Sequence, residues 1–487
     1  MFEQECIPFA PSLIESMRSL GYSFPAAIAD LIDNSISAHA TDINIYSDPG
    51  SDPFLVILDN GHGMNEKEIY EAMRYGSTNP LEKRSEDDLG RFGLGLKSAS
   101  LSQCRKVTVV SKKERKTHAY SWDLDYVIAS KAWMLKGYTE SEIQQLPKID
   151  LLNEKQTGTF ILLSDFDRIK ESTGNINDTF NKYLDEMIDH LSLVFHRFID
   201  EGLNIFVNGL KIDAKDPFLS YHPATQKKRE TTFYINDQKI TLKPFILPHV
   251  SKLSQSDLDK VGGKERMRSD QGFYVYRNKR LIIWGTWFRL ERKDELNKLA
   301  RVMVDIPNSL DYMWSIDIKK SRASLPDILK KNMYSAVYDS VVGSEAVHTF
   351  RGRKEKKDKD IEYIWEKIKV RDGYEYQINR KLPQIELLAS TLNESELKLL
   401  DLLLDTIETS FPIQALYVDV AKGKIEEKKE DEENIDNMWA DIQTQIEYVK
   451  KNNLSVKDYY SMFLKVEPYC NHKEIVERIQ GEMSKYE

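Results

Sequence analysis

Three short motifs, in fixed order within the first hundred residues, constrain this chain more than any other feature. They are Asp30-Leu31-Ile32-Asp33-Asn34, Asp59-Asn60-Gly61-His62-Gly63 and Gly90-Arg91-Phe92-Gly93-Leu94-Gly95. Each alone has a simpler reading; their order and spacing give them weight together.

Pro25 suits a first helical turn. From Ala26 to Ser37 the apolar residues Ala27, Ile28, Leu31, Ile32 and Ile36 recur at helical spacing. On such a helix Asp30 and Asn34 share a face. A carboxylate beside a carboxamide can orient a water and hold a hard cation through oxygen, as Mg²⁺ is held by few protein ligands plus substrate phosphates. Alone, the motif reads more simply as a solvated polar face.

Phe54-Leu55-Val56-Ile57-Leu58 reads as a buried strand. Asp59 ends it, and Gly61 and Gly63 let the backbone turn and approach a ligand. A buried carboxylate there can accept a hydrogen bond from an exocyclic amine. The simpler reading is a turn, for which Asp-Asn-Gly is strong chemistry. The glycines of the third motif run into Leu96-Lys97-Ser98-Ala99-Ser100-Leu101, a helix start. Backbone of this kind is a ready anion site, to which Lys97 adds a charge. Its spacing is neither that of a P-loop nor that of the dinucleotide fingerprint. Thr157-Gly158-Thr159 then leads into the strand Phe160-Ile161-Leu162-Leu163 and can place a hydroxyl near such an amine.

In this order and spacing, across about residues 10–170, the four elements resemble the GHKL (Bergerat-fold) ATPases: gyrase B, the ninety-kilodalton heat-shock chaperones, histidine kinases and MutL, with MORC as a relative. Ala29–Ser35 and Phe92–Ser98 are most similar to the forms in prokaryotic MORC/MutL-like ATPases. The resemblance implies ATP and Mg²⁺ as ligands. Asn34 would ligate Mg²⁺, Asp59 would bind the adenine amine, and Gly61, Gly63 and Met64 would line the base pocket. Gly90, Arg91, Phe92, Gly93, Leu94 and Gly95 would form the lid over the triphosphate, with Lys97 nearby. Ser77 and Thr78 would touch the lid, and Thr159 would support the adenine contact.

The chain departs from the family pattern twice. Asp30 stands where the family has the glutamate that activates water, a loss of reach of roughly 1.5 Å from ordinary bond lengths. A general base must come within about 3 Å of its proton or act through one water. Two outcomes stay open: Asp30 works as the base, slowly, or the site binds ATP better than it hydrolyses it. Ser37 replaces a further aspartate of many members, which weakens the polar network at the helix end.

Past residue 200, Leu203–Gly209 reads as a strand ending in a turn. Gly272–Ile282 reads as a hairpin turning at Asn278, and Arg301–Pro307 as another strand. This part looks like the transducer domain of MutL and MORC. In that family a cation here reaches the γ-phosphate; Lys320 is the best match and Lys319 the second, with a surface basic cluster as the alternative. From about Thr349 the chain is charge-dense. Asn393-Glu394-Ser395-Glu396 offers a helix cap before a leucine-rich run ended by Phe411-Pro412. Lys424–Asn434 reads as a solvated connection, and helices are expected around 438–450 and 456–465.

The expected fold is therefore α+β. A Bergerat-type α/β sandwich ATPase domain spans 1–195 and a split-βαβ transducer domain 196–348. A mostly helical region, for dimerisation or partner binding, spans 349–487. No stretch approaches the ~20 apolar residues of a membrane span, and the N-terminus lacks a signal core. Cys6, Cys104 and Cys470 are scattered without metal spacing, which fits a cytoplasmic location. The net charge of −9 leaves DNA binding to local basic patches, each of which reads first as solvated surface.

The leading expectation is an ATPase that dimerises on ATP binding as a molecular clamp, with residues 1–20 as the strap between protomers. The load is DNA, and family analogy adds antiphage defence with other defence-system proteins as partners. The alternatives are an ATP-sensing regulatory or scaffold protein with little turnover, and a chaperone-like ATPase acting on proteins. A histidine kinase is disfavoured because no phosphoacceptor helix precedes the site. A gyrase subunit is disfavoured because no cleavage domain is visible.

Overall fold

The computed structural model describes residues 3, 7–19, 21–76, 95–170, 175–310, 327–349, 362–370, 373–413, 416, 432–452 and 454–486. The chain divides into two compact units, Met1–Arg351 and Gly352–Glu487.

The first unit opens with helices α1 (Ala10–Arg18) and α2 (Phe24–Ser37). Ser23 caps α2 by accepting from the Ala26 amide, and Pro25 occupies the first turn, where its missing N–H costs nothing. Strands β1 (Asp42–Asp48) and β2 (Phe54–Asp59), then helices α3 (Glu66–Met73) and α4 (Gly95–Gln103), follow. The remaining strands are β3 (Lys106–Lys113), β4 (Lys116–Asp123), β5 (Lys136–Gly137), β6 (Gly158–Ser164), β7 (Asn204–Val207) and β8 (Leu210–Lys211). They form one sheet in the order β5-β4-β3-β6-β2-β1-β7-β8, antiparallel except where β1 runs parallel to β7.

Both faces of this sheet are covered, which explains the unbroken apolar run of β2. Leu55 and Ile57 join Ile28, Leu31 and Ile32 of α2 and Met187 and Leu191 of the helix Ile176–Val194 in one core. Val56 and Leu58 point the other way, into a smaller core with Ile143, Ile149 and Leu152. The strand expected near 203–209 forms as β7, the parallel partner of β1 with Ile43 opposite Ile205. The first sheet therefore continues to Lys211, past residue 195.

The second sheet comprises β9 (Gln226–Lys227), β10 (Thr231–Ile235), β11 (Gln238–Ile246), β12 (Gly272–Arg277), β13 (Arg280–Thr286) and β14 (Ala300–Ile306). Its order is β10-β11-β14-β12-β13, with β9 paired to β11. Asn278 and Lys279 both have positive φ, the geometry that lets a two-residue turn follow the twist of a hairpin. β12 runs parallel to β14, and the helix Asp327–Thr349 packs across β11 and β14. Tyr274 and Tyr276 of β12 join the core that contains Phe195 and Phe218, whereas Phe273 and Val275 face a separate core with Val302 and Val304. One face of the second sheet thus packs against the first half of the unit.

The second unit holds the expected helices: Glu394–Thr409, Glu432–Lys451 and Val456–Phe463, joined by Lys473–Met483. Asn393 and Glu396 form the capping box of the first. Ile442, Ile446, Tyr460, Phe463, Ile475 and Ile479 make its core. The structure adds a hairpin that the sequence did not suggest, Trp365–Val370 paired with Gly373–Ile378. It lies in the charge-dense stretch, where Glu366, Lys367, Lys369 and Glu375 are interleaved with Ile368, Val370, Tyr374, Tyr376 and Ile378. Arg351–Lys357 and most of the expected connection at 424–434 lie outside the described residues.

Candidate nucleotide site

Asp59, the last residue of β2, is the best-built group of the site. It is 3% exposed, and its carboxylate accepts three hydrogen bonds. The Ser35 hydroxyl donates to Oδ2 at 2.8 Å, and the amides of Gly61 and Thr159 donate to Oδ1 at 2.9 and 3.1 Å. Burial raises its pKa, and the three donors oppose that rise. A carboxylate offers about four lone-pair positions, so one acceptor position is left beyond these partners, as an exocyclic amine requires.

The turn after β2 is locked by close approach. Gly63 has φ +66, and a Cβ there would stand 2.1 Å from the Lys112 carbonyl oxygen. A Cβ on Gly158 would stand 2.3 Å from the Asp59 carbonyl oxygen. Only glycine lets β2, β3 and β6 meet this tightly. Ser111 of β3 ties the corner together. Its hydroxyl accepts from the Met64 amide at 2.8 Å, donates to the Gly158 carbonyl and lies 3.1 Å from the Thr159 hydroxyl. Thr159 thus supports Asp59 through its backbone, while its side chain belongs to the Ser111 pair.

On α2, Asp30 is 7% exposed and Asn34 is exposed. The Tyr22 hydroxyl donates to Asp30 Oδ2 at 3.0 Å. Asp30 also lines a cavity of about 590 Å³ between α2, the helix Ile176–Val194 and β13, with His190, Arg280 and Trp284 among its walls. Asp33, between them in sequence, points away from solvent and receives a hydrogen bond from Arg280 Nε at 2.9 Å. Among the described residues no cluster of three or more His, Cys, Asp or Glu is arranged for a metal. A single exposed carboxamide one turn from a carboxylate instead fits Mg²⁺ that takes most of its oxygens from phosphates and water.

Gly95 opens α4. Ser77, Thr78, Gly90, Arg91, Phe92, Gly93 and Leu94, together with Lys319 and Lys320, lie outside the described residues. Lys97, in the first turn of α4, is buried. It is 2% exposed, and its ammonium donates to the carbonyls of Ala72 and Arg74, both at 2.9 Å, at the C-terminal end of α3. Burial lowers its pKa to about 8. The structure thus gives Lys97 a part in seating α3 that its place beside the glycine motif did not suggest.

Four groups that the motifs did not single out belong to the site: Ser35, Ser111, Tyr22 and Arg280. Ser35 was within reach of sequence reasoning, because it follows Asn34 on the helix whose end faces Asp59. The others arrive from other elements.

Residues 22–159 match the family model described as histidine kinase-, DNA gyrase B- and HSP90-like ATPase. The chain is 34% identical over 90 residues to ATPase morc-1 of Caenorhabditis elegans, covering 18% of this chain and 10% of that protein. It is 27% identical over 248 residues to the DNA mismatch repair protein MLH1 of Saccharomyces cerevisiae, covering 49% and 28%. The matched part is thus less than a third of the length of these relatives. A solved N-terminal domain of a DNA repair protein aligns with a TM-score of 0.42 at 15% identity, over 67% of this chain and 95% of that one. Through residues 22–159 the chain carries a GHKL ATPase domain, with MORC ATPases and the MutL/MLH1 proteins as its relatives.

Proposed function

We propose that this chain is a Mg²⁺-dependent ATPase that closes as a dimer on ATP and acts on DNA as a clamp. The observation that carries the reading is the buried Asp59 carboxylate, fixed by Ser35, Gly61 and Thr159 with an acceptor position left for the adenine amine. Asn34 would hold Mg²⁺, which supplies charge neutralisation on the phosphates. Asp30, on the same face one turn earlier, takes the proton from water as its oxygen attacks the γ-phosphorus and the bond to the β-phosphate oxygen breaks. Lys320 is the proposed γ-phosphate contact, a charge that distinguishes ATP from ADP. ATP shifts the chain toward the closed dimer only as far as it binds that form more tightly. The DNA load rests on the MORC and MutL relatives. A setting in antiphage defence, with partners from the same system, extends the proposal on family likeness alone.

One observation favours a second reading, a sensor that binds ATP with little turnover. Asp30 is short for a base, and Tyr22 already donates to one of its oxygens.

The deciding experiment is ATP hydrolysis by the purified chain, with and without Mg²⁺ and DNA, beside Asn34→Ala and Asp30→Ala. Mg²⁺-dependent turnover that DNA stimulates and both variants lose supports the clamp. Binding of ATP without turnover or DNA response replaces it with the sensor.

A further inference from the structure

Beside the cavity at Asp30 lies a second, of about 500 Å³, lined by the helix Ile176–Val194, the Gly262-Gly263 turn and β14. The two share Asp189, Leu193, Arg266 and Trp284 in their walls. Arg301 of β14 lines the second cavity and is 1% exposed. Its Nη1 donates to the Pro217 carbonyl, and its guanidinium lies 5.3 Å from the centroid of the Tyr274 ring. Its Nε and Nη2 meet no hydrogen-bond acceptor among the described residues. A buried charge with unmatched donors is costly, and such a group in a native fold points to an ion that completes it.

The carboxylates around the cavity do not complete it. Asp189 is bonded to Lys215 at 2.6 Å, and Asp270 lies 3.4 Å from Arg266. Asp259 and Glu265 are exposed, where water screens them. Besides Lys215 and Arg266, which lie beside those carboxylates, Lys260 lines the cavity, its ammonium 4.4 Å from the centroid of the Tyr221 ring.

We propose that this cavity binds a phosphate-type oxyanion, with Arg301 as the anchor and Lys260 as the second cation. Guanidinium and phosphate match in charge and in the geometry of paired donors and acceptors. The shared wall sets it next to the cavity at Asp30, and the binding itself does not depend on the ATPase reading.

The test is calorimetric titration of the full chain with inorganic phosphate at constant ionic strength, without nucleotide or Mg²⁺. The variants are Lys320→Ala, at the proposed γ-phosphate contact, Lys260→Glu and Arg301→Gln. One-to-one binding should persist in Lys320→Ala, weaken about tenfold or more in Lys260→Glu and vanish in Arg301→Gln. Glycerol 3-phosphate, titrated in parallel, separates a free-phosphate site from a phosphomonoester site by which binds more tightly. The proposal is overturned if wild type shows no saturable binding, or if Lys320→Ala abolishes binding that Lys260→Glu leaves intact. Should Arg301→Gln fail to fold, Lys260→Glu decides.

Discussion

Arg280 of β13 donates from Nε to Asp33 of α2 at 2.9 Å, with both side chains almost wholly buried (6% and 2% exposed). The guanidinium also donates to the Leu281 carbonyl and lies 4.4 Å from the centroid of the Phe195 ring. The helix that carries Asp30 and Asn34 is thereby fastened to the second sheet. Movement of one would be felt by the other.

Breaking a buried pair of this kind by removing one partner typically costs about 3–5 kcal/mol. Arg280→Ala and Asp33→Ala should each destabilise the first unit by about that much, and Asp33→Leu with Arg280→Met should recover part of the loss. Urea denaturation of the three variants checks this. Single variants that unfold with wild-type midpoints would remove the pair from any account of how the two sheets are held.

His190, on the helix Ile176–Val194, supplies a pH dependence. Burial drives its imidazole pKa down to about 3, helped by the charge of Arg280 and opposed by Asp33. An unfolded histidine titrates near 6.5. The folded value is thus the lower one, so between the two the unfolded chain binds the extra proton and stability falls as pH drops. His196, held at about 4 chiefly by burial, acts in the same direction. At about 1.4 kcal/mol per pKa unit, lowering the pH from about 6.5 to about 4.5 should remove about 2–3 kcal/mol through His190 alone. Urea midpoints across that range should slope less steeply in His190→Gln than in wild type.

Much of this architecture is legible locally. The apolar run of β2 ending in Asp59, the cap and proline of α2 and the Asn278-Lys279 turn are each encoded within a few residues, and all form. What stays hidden is long-range. Arg280 meets Asp33 across 247 positions, and Ser111 reaches the Thr159 hydroxyl across 48; no local pattern announces either. The partner of Lys97 is hidden for the same reason: its ammonium reaches back 25 residues to the Ala72 carbonyl. β7 is a plain strand in sequence, and only its pairing with β1 assigns it to the first sheet.

Two glycines test how tightly the corner beside Asp59 is built. Gly63 and Gly76 have similar φ, +66 and +70, but a Cβ on Gly63 would stand 2.1 Å from the Lys112 carbonyl oxygen, while one on Gly76 meets nothing within 4 Å among the described residues. Gly76→Ala should therefore cost only the left-handed penalty of about 1–2 kcal/mol. Gly63→Ala adds a backbone clash and should cost more than about 4 kcal/mol or prevent folding. Thermal melts of the two side by side check the contrast, and equal losses would mean that the corner relaxes.

Asp30→Glu decides whether the short carboxylate limits turnover. The cavity at Asp30, about 590 Å³, has room for one more methylene, which restores roughly 1.5 Å of reach. A general base at the right distance contributes about 10²–10⁴-fold. If reach is what Asp30 lacks, Asp30→Glu should raise kcat by about tenfold or more within that range, with ATP affinity unchanged. Asp30→Asn should abolish turnover while leaving binding intact. Steady-state phosphate release and equilibrium ATP binding, measured on both variants and wild type, separate the cases. A glutamate variant as slow as wild type would place the limit outside this side chain, in closure or product release.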